Sequence, residues 1–132
     1  MGLSGASAYT KMSATTGVEN ADPHRLIQML IDGGIEKINR AKFFLNNKKV
    51  AEKGQHISWA ISIIGGLRAS LDMEKGGEIA KNLDGLYDYC TFTLVEANTE
   101  NSEQKLNDVL SVMQQVKEAW DGIREQSITE AR

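Results

Sequence analysis

One cysteine and one proline stand among 132 residues, and aromatic side chains make up only 6%. A lone cysteine cannot close an internal disulfide, which suits a reducing compartment. No apolar run approaches the roughly 20 residues that cross a bilayer as a helix, so no membrane insertion is expected. A basic excess is also missing: 15 Lys and Arg stand against 18 Asp and Glu, a formal net charge of −3. Nucleic-acid binding draws on a basic face for phosphates, so no nucleic-acid partner is expected. The adjacent Lys48 and Lys49 fit a solvated turn. The opening MGLSGASAYT has no charged stretch followed by an apolar one, and Ala6 stands where a myristoylation signal wants Ser or Thr. The expected location is cytoplasmic.

Catalytic and metal-binding sets are equally scarce. A di-iron bundle needs inward glutamates and Glu-x-x-His pairs. Only His24 and His56 are present; neither has Glu three residues earlier, and Glu52 lies four before His56. Zinc would need one cysteine and two distant histidines to converge. Phosphate loops, dinucleotide fingerprints and nucleophile–base groupings are missing. Asp84 and Asp88 lie one helical turn apart, as do Glu74 and Glu78, and fit solvated faces. Cys90 falls on an apolar helix side as a core residue. Neither an enzyme nor a cofactor is expected.

What the chain does have is helical periodicity. Residues 1–20 are rich in Gly, Ser, Ala and Thr and predict a flexible N-terminal tail, broken by Tyr9, Met12 and Val18. Asp22 is placed to cap a helix and Pro23 to occupy its first position. Leu26, Ile27, Leu30, Ile31, Ile35, Ile38, Ala41 and Leu45 form its stripe, and Asn46-Asn47 closes it with a left-handed cap. A second helix spans about Val50 to Leu71, facing inward through Ile57, Ile61, Ile64, Leu67 and Leu71, with Trp59 and Ile63 displaced. Asp72 to Gly76 is a turn, and a third helix runs from about Gly77 to Asn98 on Ile79, Leu83, Leu86, Tyr87 and Cys90. Asn101 with Gln104 resembles a capping box for a fourth helix, whose line is Leu106, Val109, Leu110, Met113, Val116, Trp120 and Ile123. Short turns between long helices predict an all-α fold, an antiparallel four-helix bundle over 21–126, with 127–132 frayed.

Gly33-Gly34, Gly65-Gly66 and Gly85 fall inside these helices, each costing about 1 kcal/mol relative to alanine. Close helix packing would explain them, and so would a groove in which a partner lies on bare backbone. For Gly65-Gly66 close packing is the expectation.

The most specific string is LDMEKGGEIAKNLDGLYDY, residues 71–89. It closely resembles the signature of the flagellar secretion chaperone family FliS. The opening Asp22-Pro23-His24-Arg25-Leu26-Ile27-Gln28-Met29-Leu30, the Ala8-Tyr9 pair, Leu94-x-x-Ala97-Asn98 and Ala119-Trp120 fit the same family, so the likeness covers about residues 8–121. The family's Leu-Tyr-Asp-Gly-Ala-Ile is Leu30-Ile31-Asp32-Gly33-Gly34-Ile35 here, and Cys90 replaces a more usual methionine. The resemblance implies a cytoplasmic chaperone that holds the disordered C-terminal segment of flagellin, prevents premature polymerisation and delivers it to the type III export apparatus. An export-gate platform is an implied further partner, and a monomer or homodimer is expected. Candidate partner-binding residues are Tyr9, Met12, Ile27, Ile31, Ile63, Gly76, Gly77, Tyr87 and Tyr89. For Ile27 and Tyr87 an ordinary core role competes with that reading. The alternative function is a self-associating structural or regulatory bundle without flagellin binding.

Overall fold

A computed structural model describes residues 22–122. These form four helices: α1 Pro23–Asn46, α2 Val50–Ala69, α3 Met73–Glu100 and α4 Glu103–Gly122. No strand occurs among the described residues. The fold is the expected antiparallel four-helix bundle. α1 packs on α2 and α4, and α3 packs on the same two helices, giving a four-sided ring. The polar contacts fix antiparallel registers. Lys117 reaches Asp32 at 2.8 Å between α4 and α1, Arg68 reaches Asp84 at 2.6 Å between α2 and α3, and Lys105 reaches Glu96 at 3.0 Å between α4 and α3.

Local chemistry starts and stops each helix. Asp22 Oδ1 accepts from the Arg25 backbone N–H at 2.8 Å, and Pro23 follows it as expected. α1 ends at Asn46, but the left-handed residue is Lys48 (φ 59°), not an asparagine. Asn47 is not left-handed and donates its side-chain amide to the Phe43 carbonyl. α3 begins earlier than the sequence suggests. Asp72 caps a first turn by accepting from the Glu74 and Lys75 N–H groups, so Met73–Gly76 is helical rather than a turn. A break follows at Gly77, with φ 52° and ψ −130°, a conformation open in practice to glycine alone. At the α3–α4 corner Asn101 is the left-handed C-cap of α3, and Ser102 caps α4 by accepting from Lys105 N–H. The cap of α4 therefore lies one residue beyond the expected Asn101.

The core is one cluster. It includes Ile27, Leu30, Ile31 and Ile38 of α1, Ile57, Ile63, Ile64 and Leu67 of α2, Tyr87, Cys90 and Leu94 of α3, and Leu106 to Trp120 of α4. Ile63 is fully buried rather than displaced, because the α2 stripe is broader than a single line. Gly34 sits against Ile63 and Met113, where an added Cβ would make ordinary contacts of 3.6 and 3.7 Å. Trp59 does lie outside the core line, with Lys37 Nζ 3.9 Å above its ring.

One buried charge joins three elements. Lys53, only 2% exposed, donates from Nζ to the Asn98 carbonyl at 2.9 Å and to Asn101 Oδ1. Lys53 thus ties the first turn of α2 to the end of α3. Lys53→Met should cost about 1–3 kcal/mol, because buried acceptors lose their donor, and urea unfolding should show a lowered midpoint.

Candidate functional site

Large apolar side chains left in water are the feature to explain, since scattered ones are ordinary but a row on one element is not. Nine are exposed among the described residues, and six of them belong to α3: Met73, Ile79, Leu86, Tyr89, Phe92 and Val95. The other three are Phe43, Val50 and Trp59. Helical spacing organises the α3 set. Leu86, Tyr89, Phe92 and Val95 follow one another at three-residue steps, a ridge that climbs obliquely round the helix. Gly85 is exposed beside it, and a Cβ there would meet nothing within 4 Å.

The inward and outward sides of α3 meet along one line. Ile79, Leu86 and Thr93 are seven residues apart and so share a line on the helix. Thr93 is 5% exposed, whereas Leu86 is 40% and Ile79 51% exposed. The neighbouring helices cover that line near the α3–α4 corner and leave it open toward Gly77. Ile79 and Leu86, expected on the core face, are therefore surface residues. Ala80, Tyr87, Cys90, Leu94 and Ala97 make the buried seam instead.

The expected contact residues divide. Tyr89 is exposed on the ridge, Gly77 is exposed at the helix break, and Gly76 is half-buried beside it. Ile27, Ile31, Ile63 and Tyr87 all lie in the core. They support the bundle from inside and present no surface in this conformation. Tyr9 and Met12 lie outside the described residues, as do the proposed tails. Phe92 and Val95 escaped the sequence reading. The signal for them was an apolar spacing of three running past the core seam of four and three.

Charges flank the apolar face without forming a reactive group. Arg68 forks onto Asp84 through Nε and Nη2, at 2.6 and 3.3 Å, and reaches Asp88 through Nη1 at 2.9 Å. Hydrogen bonding from that guanidinium holds the Asp84 carboxyl below its ordinary range and pushes Arg68 further up. The carboxylate pair one turn apart is thus a clamp between α2 and α3. On α1, a groove of about 520 Å³ is lined by Asp32, Ile35, Glu36, Arg40, Phe43 and Phe44, among others. Its acids are engaged too: Asp32 pairs with Lys117, and Glu36 with Lys37 and Arg40. His56 Nδ1 lies 2.9 Å from the Glu52 carbonyl, and His24 stacks on Trp120 with ring centroids 5.2 Å apart. No group of three His, Cys, Asp or Glu able to hold a metal occurs among the described residues. Nor is any described helix long and apolar enough to cross a membrane.

The described bundle thus carries an apolar ridge on one helix, flanked by ion-paired charges. Comparison with known proteins gives the family. Residues 5–127 match the family described as flagellar protein FliS. Over 115 residues the chain is 48% identical to the flagellar secretion chaperone FliSB of Pseudomonas aeruginosa, covering 87% of this chain and 91% of that protein. It is 46% identical over 121 residues to the flagellar secretion chaperone FliS of Salmonella typhimurium, covering 91% and 90%. The Bacillus subtilis FliS chaperone is 28% identical over 114 residues, covering 86% and 81%. The chain belongs to the FliS family, a class of helical chaperones of flagellum biogenesis and not a class of enzymes.

Cys90 is buried, and burial pushes its thiol up to about 12. At pH 8 the thiolate is therefore scarce and shielded. A thiol reagent should leave the folded protein unlabelled over minutes and label one site per chain after denaturation.

Proposed function

We propose that this chaperone binds the disordered C-terminal segment of flagellin in the cytoplasm and keeps it from polymerising until export. Delivery to the type III export apparatus, with an export-gate platform as a further partner, belongs to the same reading. The observation that carries it is the exposed α3 ridge of Leu86, Tyr89, Phe92 and Val95. An amphipathic segment that is disordered when free can lay its apolar stripe on such a ridge and fold as it binds. Gly85 leaves backbone bare beside the ridge, so a partner can approach closely there. The binding needs neither a cofactor nor turnover.

The N-terminal tail enters this reading through Tyr9. About 13 residues separate it from the start of α1, so its effective concentration at the bundle is on the order of millimolar. Tyr9 docks weakly on the apolar face and gives way to flagellin. An aromatic ring suits this use, since it covers a large area while freezing only two torsions. Deleting residues 1–18 should leave the bundle folded and change flagellin affinity. Unchanged affinity, together with random-coil hydrogen exchange of the tail in the free protein, would count against the plug.

Calorimetry with the last several dozen residues of flagellin tests the main reading. One-to-one binding with a negative heat-capacity change is expected, the mark of apolar burial. Leu86→Ser combined with Phe92→Ser should weaken binding about tenfold or more, from roughly 1–2 kcal/mol per lost apolar contact, with little effect on unfolding. Gly85→Ala should add about 1 kcal/mol of stability while weakening binding. Flagellin lacking its C-terminus binding equally well would overturn the reading. Homo-oligomers by light scattering and no heat with flagellin would favour a self-associating bundle.

A further inference from the structure

The apolar ridge of α3 climbs from Leu86 to Val95, and Val95 is the last exposed large apolar residue on that helix. Asn101 lies six residues past it, about 9 Å along the axis. There a pocket of about 350 Å³ opens between the α1–α2 turn and the end of α3, lined by Leu45, Lys48, Lys49, Val50 and Asn101. Its unspent polar groups are of one kind. Lysine only donates, so Lys53 fixes which way the Asn101 amide faces. Asn101 Oδ1 accepts from Lys53 Nζ, and Nδ2 remains a donor with no partner among the described residues. Lys48 and Lys49 take no ion pair among the described residues. The acceptors nearby are occupied. The Phe43, Phe44 and Leu45 carbonyls accept from the Asn47, Lys48 and Lys49 N–H groups, and the Asn98 carbonyl accepts from Lys53. Glu100 is held by Lys105, and Glu103 by Lys42 and Asn46. Glu52, in the first turn of α2, does not line the pocket. Two ammonium groups and an amide N–H beside the apolar wall of Leu45 and Val50 suit a carboxylate carried next to an apolar group.

We propose that this pocket takes the free C-terminal carboxylate of the bound partner segment, with an apolar side chain close to that end against Leu45 and Val50. The inference rests on the reading that α3 receives the C-terminal segment of flagellin. It adds the polarity of the bound chain: its end lies at the α1–α2 turn, and the residues before it run back along the ridge toward Leu86. A chain end fits better than an acidic side chain in mid-segment, because the apolar track on α3 stops at Val95 and the donors begin just beyond it. Charge complementarity sets the occupant: every unspent polar side chain lining the pocket donates, and a chain terminus brings a carboxylate that only accepts. The turn also places Lys48 in the left-handed region, at φ 59°, although Asn47 beside it would adopt that conformation more readily. The lysine is thereby kept at the rim of the pocket.

Calorimetry on the full chain with one synthetic peptide in two forms tests it. The peptide is the last several dozen residues of flagellin, made once with its free terminal acid and once as the C-terminal amide. The amide should bind roughly three- to tenfold more weakly, as expected for charge-assisted hydrogen bonds lost at a partly open site. Lys48→Gln combined with Lys49→Gln should weaken the acid form by a similar factor and leave the amide form unchanged, since both changes remove the same contact. The comparison of the two peptides uses the unaltered chain, so it stands whether or not the variant folds. Equal affinity of acid and amide would overturn the proposal and leave the ridge reading intact. So would an amide effect of full size in the lysine variant, which would put the carboxylate elsewhere. Binding that ignores amidation but weakens when an internal acidic residue of the peptide is neutralised would overturn it in favour of a side-chain carboxylate. No heat with either form would remove the ridge reading and this inference together.

Discussion

The burial of Lys53 is the constraint on which the geometry of α3 depends. The Lys53 side chain, 2% exposed, places its ammonium group on the Asn98 carbonyl near the end of α3 and on the Asn101 side chain. The end of a helix carries unpaired carbonyls and partial negative charge, so a cation is favoured there. In turn, the Lys53 contact holds Asn101 in the left-handed conformation that ends α3 and lets Ser102 start α4. Near the middle of α3, Arg68 clamps Asp84 and Asp88. α3 is thus pinned to α2 at its C-terminal end and at its middle, which together fix its rotation about its own axis. That rotation decides which apolar residues turn inward and leaves Tyr89, Phe92 and Val95 outward.

The glycines take different meanings in this frame. Gly34 is in the core, but a Cβ at that position would make only ordinary contacts, so steric closeness does not demand glycine there. Gly65 was expected to serve close packing; instead it is exposed, with open space where a Cβ would be. Gly85 is alike. Among the described glycines, only Gly77 is required by backbone conformation, since its φ and ψ lie where a side chain is strained. Two helix-weakening glycines therefore lie on outer surfaces with no packing return, as expected if bare backbone has a use in contact rather than in folding.

Much of this was legible in the sequence. The period of three and four gave the helices, and Asp22-Pro23 marked the start of α1 because capping and proline chemistry are local. What failed was whatever depends on neighbours. Asn101 and Ser102 can each cap, and only the corner geometry gives Asn101 to the end of α3. The Gly-Gly pair signalled a break, but Asp72 captured the preceding residues into a helical turn. On α3 two apolar sets overlap, and a count of threes and fours cannot separate the buried seam from the ridge. Ile79 and Leu86 share a line with Thr93, so periodicity assigns them alike, and only the extent of the covering helices divides them.

That division also separates folding from contact. Ile31, Ile63 and Tyr87 are fully enclosed, so shortening any of them leaves a cavity, and the cost is typically several kcal/mol of stability. Any weakening of binding in such variants would follow from a loosened bundle. Phe92 is 63% exposed and can be changed with little effect on the core. The distinction follows from the rotation of α3, which encloses Tyr87, Cys90 and Leu94 and leaves the ridge outside. A rigid scaffold with an uncommitted apolar face can order a disordered partner without spending its own stability, because the contacts that hold the scaffold together are not those the partner uses.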